Sequence, residues 1–394
     1  MRKGVVRLAA LNVAIAAVAV GSVPVAAAQK AGPVRWRIVT TFKHCRLGDE
    51  LLSVIATGPR DAWALGLPGF ILGGASPCTD VEHWDGSTWR RIPLPHGVGP
   101  DSTVSPPIAA SSRGNAWIFP ALPSARCGSY NYALRWDGRA WHRSDFRAKM
   151  TVRTAVAFSR QDVWAFGAPV KNVDQLIRYA ARYDGRAWHR VWLPGQVFAV
   201  GALSKRDMWA IGPAPGTAAR PLARQAIIAM HWTGRSWRTI SVPKIWAHTS
   251  QSEIDQALVA VAAPDNVWWS YEESHGARAW VGMLRWDGAS WHHIKLPASI
   301  EAIDAMTQDG HGGLWLLAPA NRDTLNLPQQ YWYHYSHGRW TKLAVRSPRG
   351  YHLTTLSAMT WIPRTTGVWA VGGAFKNRRV AVIARYQSVR IVRW

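Results

Sequence analysis

Neighbouring carboxylates are the side chains in this 394-residue sequence that are best suited to catalysis. The candidates are Glu253 with Asp255, Glu272 with Glu273, and Asp304. Hydrolysis of a glycosidic bond needs two carboxyl groups, one that donates a proton and one that acts as a base or nucleophile. Only 23 acidic residues serve the whole chain, however, and each candidate also fits an ordinary turn or surface position. The sequence therefore indicates candidate carboxylates without defining a catalytic pair.

Two pairs of histidines are the candidate metal ligands. His334 and His337 lie across a predicted strand end and turn, and His292 and His293 are adjacent on a predicted strand. Neither pair has the spacing of a metal-binding motif such as H-E-x-x-H. We therefore expect no metal site and no cofactor.

Basic and aromatic residues in predicted loops form a third candidate set, suited to binding. They are Lys171, Arg220, Arg224, Lys244, Trp246, His248, Tyr271, Arg278 and Arg322. Guanidinium groups pair with carboxylates and phosphates, and aromatic rings offer flat surfaces for stacking. These residues are far apart in the sequence, so only a fold that gathers loops on one face can join them into a site.

A tryptophan motif recurs along the chain and identifies the elements of that fold. Copies such as "DAWALG" (61–66) and "DVWAFG" (162–167) each contain one Trp, and these residues follow one another at intervals of 45 to 59 residues. They are Trp63, Trp117, Trp164, Trp209, Trp268, Trp315 and Trp369. Such intervals are typical of the blades of a propeller.

A second motif follows six of these tryptophans, with a degenerate copy, "RYQSVRI" (385–391), after the seventh, and predicts a hairpin. It reads "RWDGRAW" at 135–141 and "RWDGASW" at 285–291, and Asp-Gly between two aromatic strands is a strong turn pattern. Each unit then contains four short strands. The sequence predicts an all-β fold, a seven-bladed β-propeller of four-stranded blades over residues 29–394. We expect the N-terminal strand (34–39) to close the ring near the last segment (389–394).

Most of the repeated residues have a structural interpretation. The repeat tryptophans are expected to pack between blades. A basic residue precedes the third-strand aromatic residue in every copy, namely His83, Arg135, Arg182, His231, Arg285, His334 and Arg385. These cations could form an anion-binding collar, but a polar residue two places before the Trp in five copies favours cross-strand pairs instead. Those polar residues are Asp61, Asn115, Asp162, Asp207 and Asn266.

The combination of Asp-x-Trp-Ala-x-Gly with Trp-Asp-Gly-x-x-Trp resembles secreted bacterial propellers of the kelch or galactose-oxidase central-domain type. The resemblance covers residues 33–394 and implies that the long loops open on one face, where such propellers have their sites. Galactose-oxidase chemistry would require a copper held by Tyr and His and a Cys crosslinked to a Tyr. Cys45, Cys78 and Cys127 match no such motif. We therefore expect no copper centre.

Residues 1–28 have the pattern of a secretory signal peptide. Basic residues precede an apolar run from Leu8 to Val20, which is shorter than the ~20 residues of a membrane helix, and Ala26-Ala27-Ala28 fits an A-x-A cleavage site. An uncleaved anchor is the alternative. We expect an extracellular or cell-wall-associated chain without a transmembrane anchor.

Export also permits a disulfide. Cys45 precedes the first blade and Cys78 lies in its long loop on the same expected face, so we predict this pair, with Cys78–Cys127 as the alternative.

The net charge of +24 indicates an anionic partner. Because the chain is expected to be exported, nucleic acid is not the expected partner. We predict a monomeric, non-catalytic protein that binds an anionic cell-wall polymer or polysaccharide. The alternative is a glycoside hydrolase or lyase, which requires two adjacent carboxylates in the propeller funnel, one with a raised pKa.

Overall fold

A computed structural model of the chain describes thirteen stretches of sequence. They are residues 35–42, 49–68, 81–95, 107–119, 132–146, 150–169, 177–215, 226–243, 253–275, 278–320, 329–351, 353–377 and 379–387. The described stretches contain 28 β-strands in seven four-stranded antiparallel sheets, so the prediction of a seven-bladed propeller is confirmed. None of them contains a helix that is long and apolar enough to cross a membrane.

Blades 1 to 4 follow one another along the chain. Blade 1 contains β2 (Asp49–Gly58), β3 (Asp61–Pro68), β4 (Val81–Trp84) and β5 (Trp89–Arg91). Blade 2 contains β6 (Ile108–Ser112), β7 (Asn115–Ile118), β8 (Tyr132–Trp136) and β9 (Trp141–Asp145). Blade 3 contains β10 (Met150–Ser159), β11 (Asp162–Pro169), β12 (Tyr179–Tyr183) and β13 (Trp188–Trp192). Blade 4 contains β14 (Ala199–Ser204), β15 (Asp207–Pro213), β16 (Ile227–Trp232) and β17 (Trp237–Ser241).

The remaining blades include the two ends of the described chain. Blade 5 contains β18 (Glu253–Ala263), β19 (Asn266–His275), β20 (Arg278–Trp286) and β21 (Trp291–His293). Blade 6 contains β22 (Ala305–Gln308), β23 (Leu314–Pro319), β24 (Gln330–Ser336) and β25 (Arg339–Ala344). Blade 7 contains β26 (Leu353–Trp361), β27 (Val368–Phe375) and β28 (Arg379–Gln387), and β1 (Arg35–Phe42) is its fourth strand.

The first strand of each blade is innermost, because it contacts the first strands of both neighbouring blades. The ends of the second and fourth strands and the starts of the first and third strands lie at one end of the blades, which we call the loop face. The turns between first and second strands and between third and fourth strands lie at the opposite end.

The N-terminal strand closes the ring, as predicted. β1 pairs antiparallel with β28 and takes the outermost position of blade 7. Joining distant parts of the chain in one blade removes the open edges that a linear array of sheets would have. Residues 389–394, which were expected near this strand, lie outside the described residues.

Trp36 supplies the partner that was missing from one of the aromatic pairs between third and fourth strands. In blade 2 the third-strand Trp136 lies opposite the fourth-strand Trp141, and in blade 7 Tyr386 lies opposite Trp36 in the same way. Trp36 also stacks on Trp332 of blade 6, with ring centroids 3.5 Å apart. The N-terminal strand therefore supplies the missing fourth-strand tryptophan.

The repeat tryptophans form the contacts between blades. All seven are at most 1% exposed, and Trp164 shows the arrangement. Its ring lies 5.1 Å from Trp232 and 6.2 Å from Trp237 of the next blade, edge to face in both cases. Because buried aromatic residues remove large apolar areas from water, these contacts hold neighbouring blades together.

The Asp-Gly turns are held by their own aspartate. In blade 2, Gly138 has a φ of 107°, which favours glycine, and Asp137 Oδ1 accepts hydrogen bonds from the backbone N–H groups of Arg139 and Ala140 at 2.7 and 2.9 Å. His142 Nε2 lies 2.7 Å from Asp137 Oδ2. The backbone donors, followed by His142, hold the pKa of Asp137 well below its usual range.

Candidate functional site

Each repeat tryptophan lies directly opposite a third-strand arginine or histidine, as in the pair Trp164 and Arg182. In all seven blades this basic side chain covers the indole. The imidazole centroid or guanidinium carbon lies 4.1 to 5.8 Å from the indole centroid. Cations held against buried rings contribute to packing. This arrangement accounts for the seven basic residues without an open anion-binding collar.

Acceptors on the second strand fix most of these cations, as the cross-strand hypothesis predicted. Arg182 Nε donates to Asp162 Oδ1 at 2.8 Å, and the same oxygen accepts the Trp164 Nε1–H at 2.9 Å. Blades 1, 4 and 5 form equivalent contacts of 2.7 to 2.8 Å. These hydrogen bonds are structural.

Blades 6, 2 and 7 differ from this pattern. Blade 6 uses Asp309, whose Oδ2 lies 2.9 Å from His334 Nε2. The repeat motif did not indicate Asp309, because this residue stands six residues before Trp315 instead of two. The Nε atoms of Arg135 in blade 2 and Arg385 in blade 7 are buried without a hydrogen-bond partner among the described residues.

Two of the candidate carboxylates meet at the junction of blades 5 and 6. Glu272 lies in β19, and its Oε1 accepts a hydrogen bond from the backbone N–H of Ile303 at 2.9 Å. Asp304 follows Ile303 and directly precedes the innermost strand β22. Both residues lie toward the loop face, so the fold brings together two carboxylates from separate segments of the chain.

Gln330 connects this site to blade 7. Its Nε2 donates to Asp304 Oδ2 at 2.6 Å and to the carbonyl oxygen of Leu356 at 2.9 Å, while its Oε1 accepts from the Leu356 N–H at 2.7 Å. Gln330 is buried. The network spans blades 5, 6 and 7, and it fixes the position of the Asp304 carboxyl group.

The environment of Asp304 favours its protonated form. Burial raises the pKa of Asp304 to about 6, the hydrogen bond from Gln330 opposes this shift, and the negative charge of Glu272 adds to it. A carboxyl group that keeps a proton up to about pH 6 beside a second carboxylate can act as a general acid in mildly acidic conditions. The pair thus has one feature that the hydrolase hypothesis requires, a raised pKa beside a second carboxylate.

The other candidate carboxylates occur in blade 5. Glu253 is the first residue of β18 and lies opposite Ser274, and Ile254 lies opposite Glu273. Asp255 lies where the register between β18 and β19 shifts. The backbone therefore places Glu253, Asp255 and Glu273 at the same end of blade 5 as Glu272.

Most residues predicted to bind a ligand lie outside the described residues. These are Lys171, Arg220, Arg224, Lys244, Trp246, His248 and Arg322. The three cysteines of the disulfide prediction, Cys45, Cys78 and Cys127, also lie outside the described residues. Arg278 begins β20, opposite His275. Tyr271 is 8% exposed, and its ring packs against Trp269 at 5.3 Å and over Gly282. Tyr271 thus has a packing role, and its contact with a ligand stays a prediction.

Exposed basic side chains occur on the outermost strand of every blade. They are Arg37, Arg90, Arg91, His142, Arg143, His189, Arg190, Arg238, His292, His293, Arg339 and Lys342. Most occupy the two positions that follow the fourth-strand tryptophan, a pattern that the sequence analysis overlooked. Charged edge strands resist pairing with other sheets, and here they also place positive charge around the rim.

Comparisons with known proteins agree with the fold. No protein-family model matches the chain, and no curated protein sequence does. The structure is similar to YCF48 bound to a D1 peptide, with a TM-score of 0.54 and 11% identity over 91% of this chain and 98% of that chain.

Two polysaccharide-cleaving enzymes have a similar fold. A GH74 xyloglucanase from Xanthomonas campestris has a TM-score of 0.53 and 14% identity over 86% of this chain, which spans about half of that enzyme (53%). A PL25 ulvan lyase has a TM-score of 0.53 and 11% identity over 85% of this chain and 94% of that chain. At these identities the likeness concerns the fold alone. The chain is therefore a seven-bladed β-propeller protein.

Proposed function

We propose that this protein is a secreted, non-catalytic propeller that binds an anionic extracellular polymer, either a cell-wall polymer or a polysaccharide. The observation that carries the proposal is the basic rim, because the outermost strands of six blades present an exposed arginine or lysine and that of blade 5 presents two exposed histidines. The net charge of +24 adds long-range attraction for polyanions. The basic and aromatic loop residues remain part of this proposal as contacts on the loop face.

A polymer of repeated negative charges suits this distribution. The rim cations recur from blade to blade, so successive anionic groups can contact successive blades. Each exposed ion pair contributes little, about 0 to 1 kcal/mol, but many contacts along one chain act together. The proposal therefore predicts binding that depends on polymer length and on ionic strength.

Sedimentation with isolated cell walls and with soluble polyanions tests the proposal. The screening length falls from about 10 Å at 0.1 M salt to about 3 Å at 1 M, so affinity should fall steeply over this range. Arg238→Glu with Arg339→Glu tests the rim, and Arg220→Glu with Lys244→Glu tests the loops. Each double variant should bind more weakly at an unchanged melting temperature.

The control is Asp145→Asn, which removes an exposed acid from an outermost strand and should not weaken binding. Binding of wild-type protein that survives molar salt would contradict the proposal. So would full affinity in both charge-reversal variants.

A second candidate function is cleavage of a glycosidic bond by the Asp304–Glu272 pair. It is favoured by the raised pKa of Asp304 beside a second carboxylate at the loop face. The xyloglucanase and the ulvan lyase show that a fold of this kind can carry polysaccharide-cleaving enzymes. In this hypothesis Asp304 donates the proton and Glu272 acts as base or nucleophile.

Release of new sugar ends from acidic polysaccharides tests this candidate. Asp304→Asn and Glu272→Gln should each abolish release, whereas Glu301→Gln, an exposed acid nearby in sequence, should not. Turnover with this dependence would replace the non-catalytic proposal. Absence of turnover in the wild-type protein would reject the hydrolase and lyase hypotheses for the substrates tested.

A further inference from the structure

Trp192 is the one exposed tryptophan among those that the structure describes. It is 69% exposed, whereas the repeat tryptophans are buried. It is the last residue of β13, where the outermost strand of blade 3 reaches the loop face. Trp192 belongs to none of the repeated aromatic positions, so the packing between blades does not explain it.

Trp192 packs against Tyr179, and Arg190 lies over the same Tyr179 ring. Tyr179 lies directly opposite Trp192 in the strand register, and the two rings meet edge to face with centroids 5.9 Å apart. The Arg190 guanidinium carbon lies 4.7 Å from the centroid of the Tyr179 ring. Alternation along β13 puts Arg190 and Trp192 on the same face of the strand. We call these three residues the blade 3 platform.

The same scaffold occurs in two other blades without the exposed tryptophan. In blade 2, Arg143 covers Tyr132 at 4.4 Å, and the residue opposite Tyr132 is Asp145. In blade 6, Lys342 covers Tyr331 at 3.9 Å, and Ala344 lies opposite that tyrosine. A cation over an aromatic residue is thus common to three blades. Blade 3 alone of these adds an open indole face.

The Arg190 guanidinium is available to a ligand. Arg190 is exposed, and it forms no ion pair with a carboxylate of the described residues. Asp145 accompanies the equivalent arginine of blade 2 at 3.9 Å and would repel an anion there. Blade 3 therefore combines a free planar cation with an exposed flat apolar surface.

We propose that the blade 3 platform binds one acidic sugar unit, a uronate, of an anionic polysaccharide. The apolar C–H face of the sugar ring packs on the Trp192 indole, and its carboxylate pairs with Arg190. This inference rests on the proposed function and names its ligand class. A neutral sugar leaves Arg190 without an anion, and a linear polyphosphate offers no ring to the indole.

Binding to three polymers tests the proposal: polygalacturonate, polyphosphate and neutral dextran. Trp192→Ala should weaken binding to polygalacturonate at least about tenfold, as expected for truncation of an aromatic anchor, while Trp192→Phe should retain most of it. Polyphosphate binding should be unchanged in Trp192→Ala, because it depends on charge alone. Dextran should not bind.

Three further variants separate stacking from charge and from general surface effects. Phe375→Ala removes another exposed aromatic ring, 48% accessible, and should leave binding unchanged. Arg190→Gln should weaken polygalacturonate binding, and Arg190→Lys should retain part of it. An unchanged melting temperature for each variant shows that the fold is intact.

The outcomes distinguish this inference from the proposed function. If wild-type protein binds both polyanions and Trp192→Ala binds polygalacturonate as tightly as wild type, the proposed uronate site on the blade 3 platform is rejected. The proposal that the protein binds polyanions then stands. If wild-type protein binds neither polyanion, the proposed function fails together with the platform. If Trp192→Ala weakens binding to both polyanions equally, stacking on a sugar ring is excluded.

Discussion

Asp304→Asn should stabilise the folded protein, and the gain should depend on pH. Asparagine keeps the shape of the side chain and an oxygen that accepts the Gln330 Nε2–H, which lies 2.6 Å from Asp304 Oδ2. The substitution removes only the charge, which is disfavoured by burial and by Glu272. The carboxylate is thus a cost to stability that the amide avoids.

The size of the gain follows from the shift in pKa. The pKa of Asp304 rises from 3.8 to about 6 on folding, so between these values the folded state binds a proton that the unfolded state has lost. The unfolding free energy of the wild-type protein therefore falls as pH rises through this window. At 1.36 kcal/mol per unit, the difference reaches about 3 kcal/mol above pH 6. For a chain of 394 residues this corresponds to roughly 4 °C in melting temperature.

Denaturant unfolding of both proteins at pH 3.5, 5 and 7.5 measures this effect. The two curves should nearly coincide at pH 3.5, where Asp304 is protonated in the folded state and mostly protonated in the unfolded state, and separate in favour of the variant at pH 7.5. Asp145→Asn, at an exposed position, should show no such separation. A constant difference across pH, or a less stable variant at pH 7.5, would refute the assigned environment of Asp304.

Two further predictions concern the packing of the ring. Trp36→Ala should lower the unfolding free energy by about 3 kcal/mol, because it removes the stacked closure contact with Trp332, whereas Trp192→Ala should change it by less than about 0.5 kcal/mol. Asp162→Ala should cost about 2 to 3 kcal/mol because two donors lose their acceptor, and Asp162→Asn about half of that, since Asn115 accepts the equivalent indole N–H. Denaturant titrations check both, and equal losses within either pair would contradict the assigned contacts.

The blade pattern was predictable because its causes are local. A tryptophan on the second strand and an Asp-Gly turn between aromatic strands each specify their geometry within a few residues. The Trp164–Arg182 pair was predictable from the repeat, since antiparallel pairing sets the start of the second strand beside the end of the third strand. Fold class, blade number and cross-strand pairs could therefore be derived from the repeat.

Contacts between distant segments were less accessible to sequence reasoning. Trp36 has no Asp-Gly turn before it, so its equivalence to Trp141 appears only once β1 lies beside β28. Asp309 replaces the expected acceptor from a different position in its blade. Trp36 and Asp309 each occupy a structural position that recurs from blade to blade, but neither belongs to the repeated sequence motif.

The candidate sites divide in the same way. The sequence by itself determined the repeating unit, the burial of its tryptophans and the excess of positive charge, because these depend on residue type and short-range spacing. Only the tertiary structure decided that Glu272 approaches Asp304 across two blades and that Trp192 stays exposed beside Arg190. A shifted pKa and an open indole face depend on which atoms surround a group in space, and ring closure sets those surroundings through contacts between segments far apart in the chain.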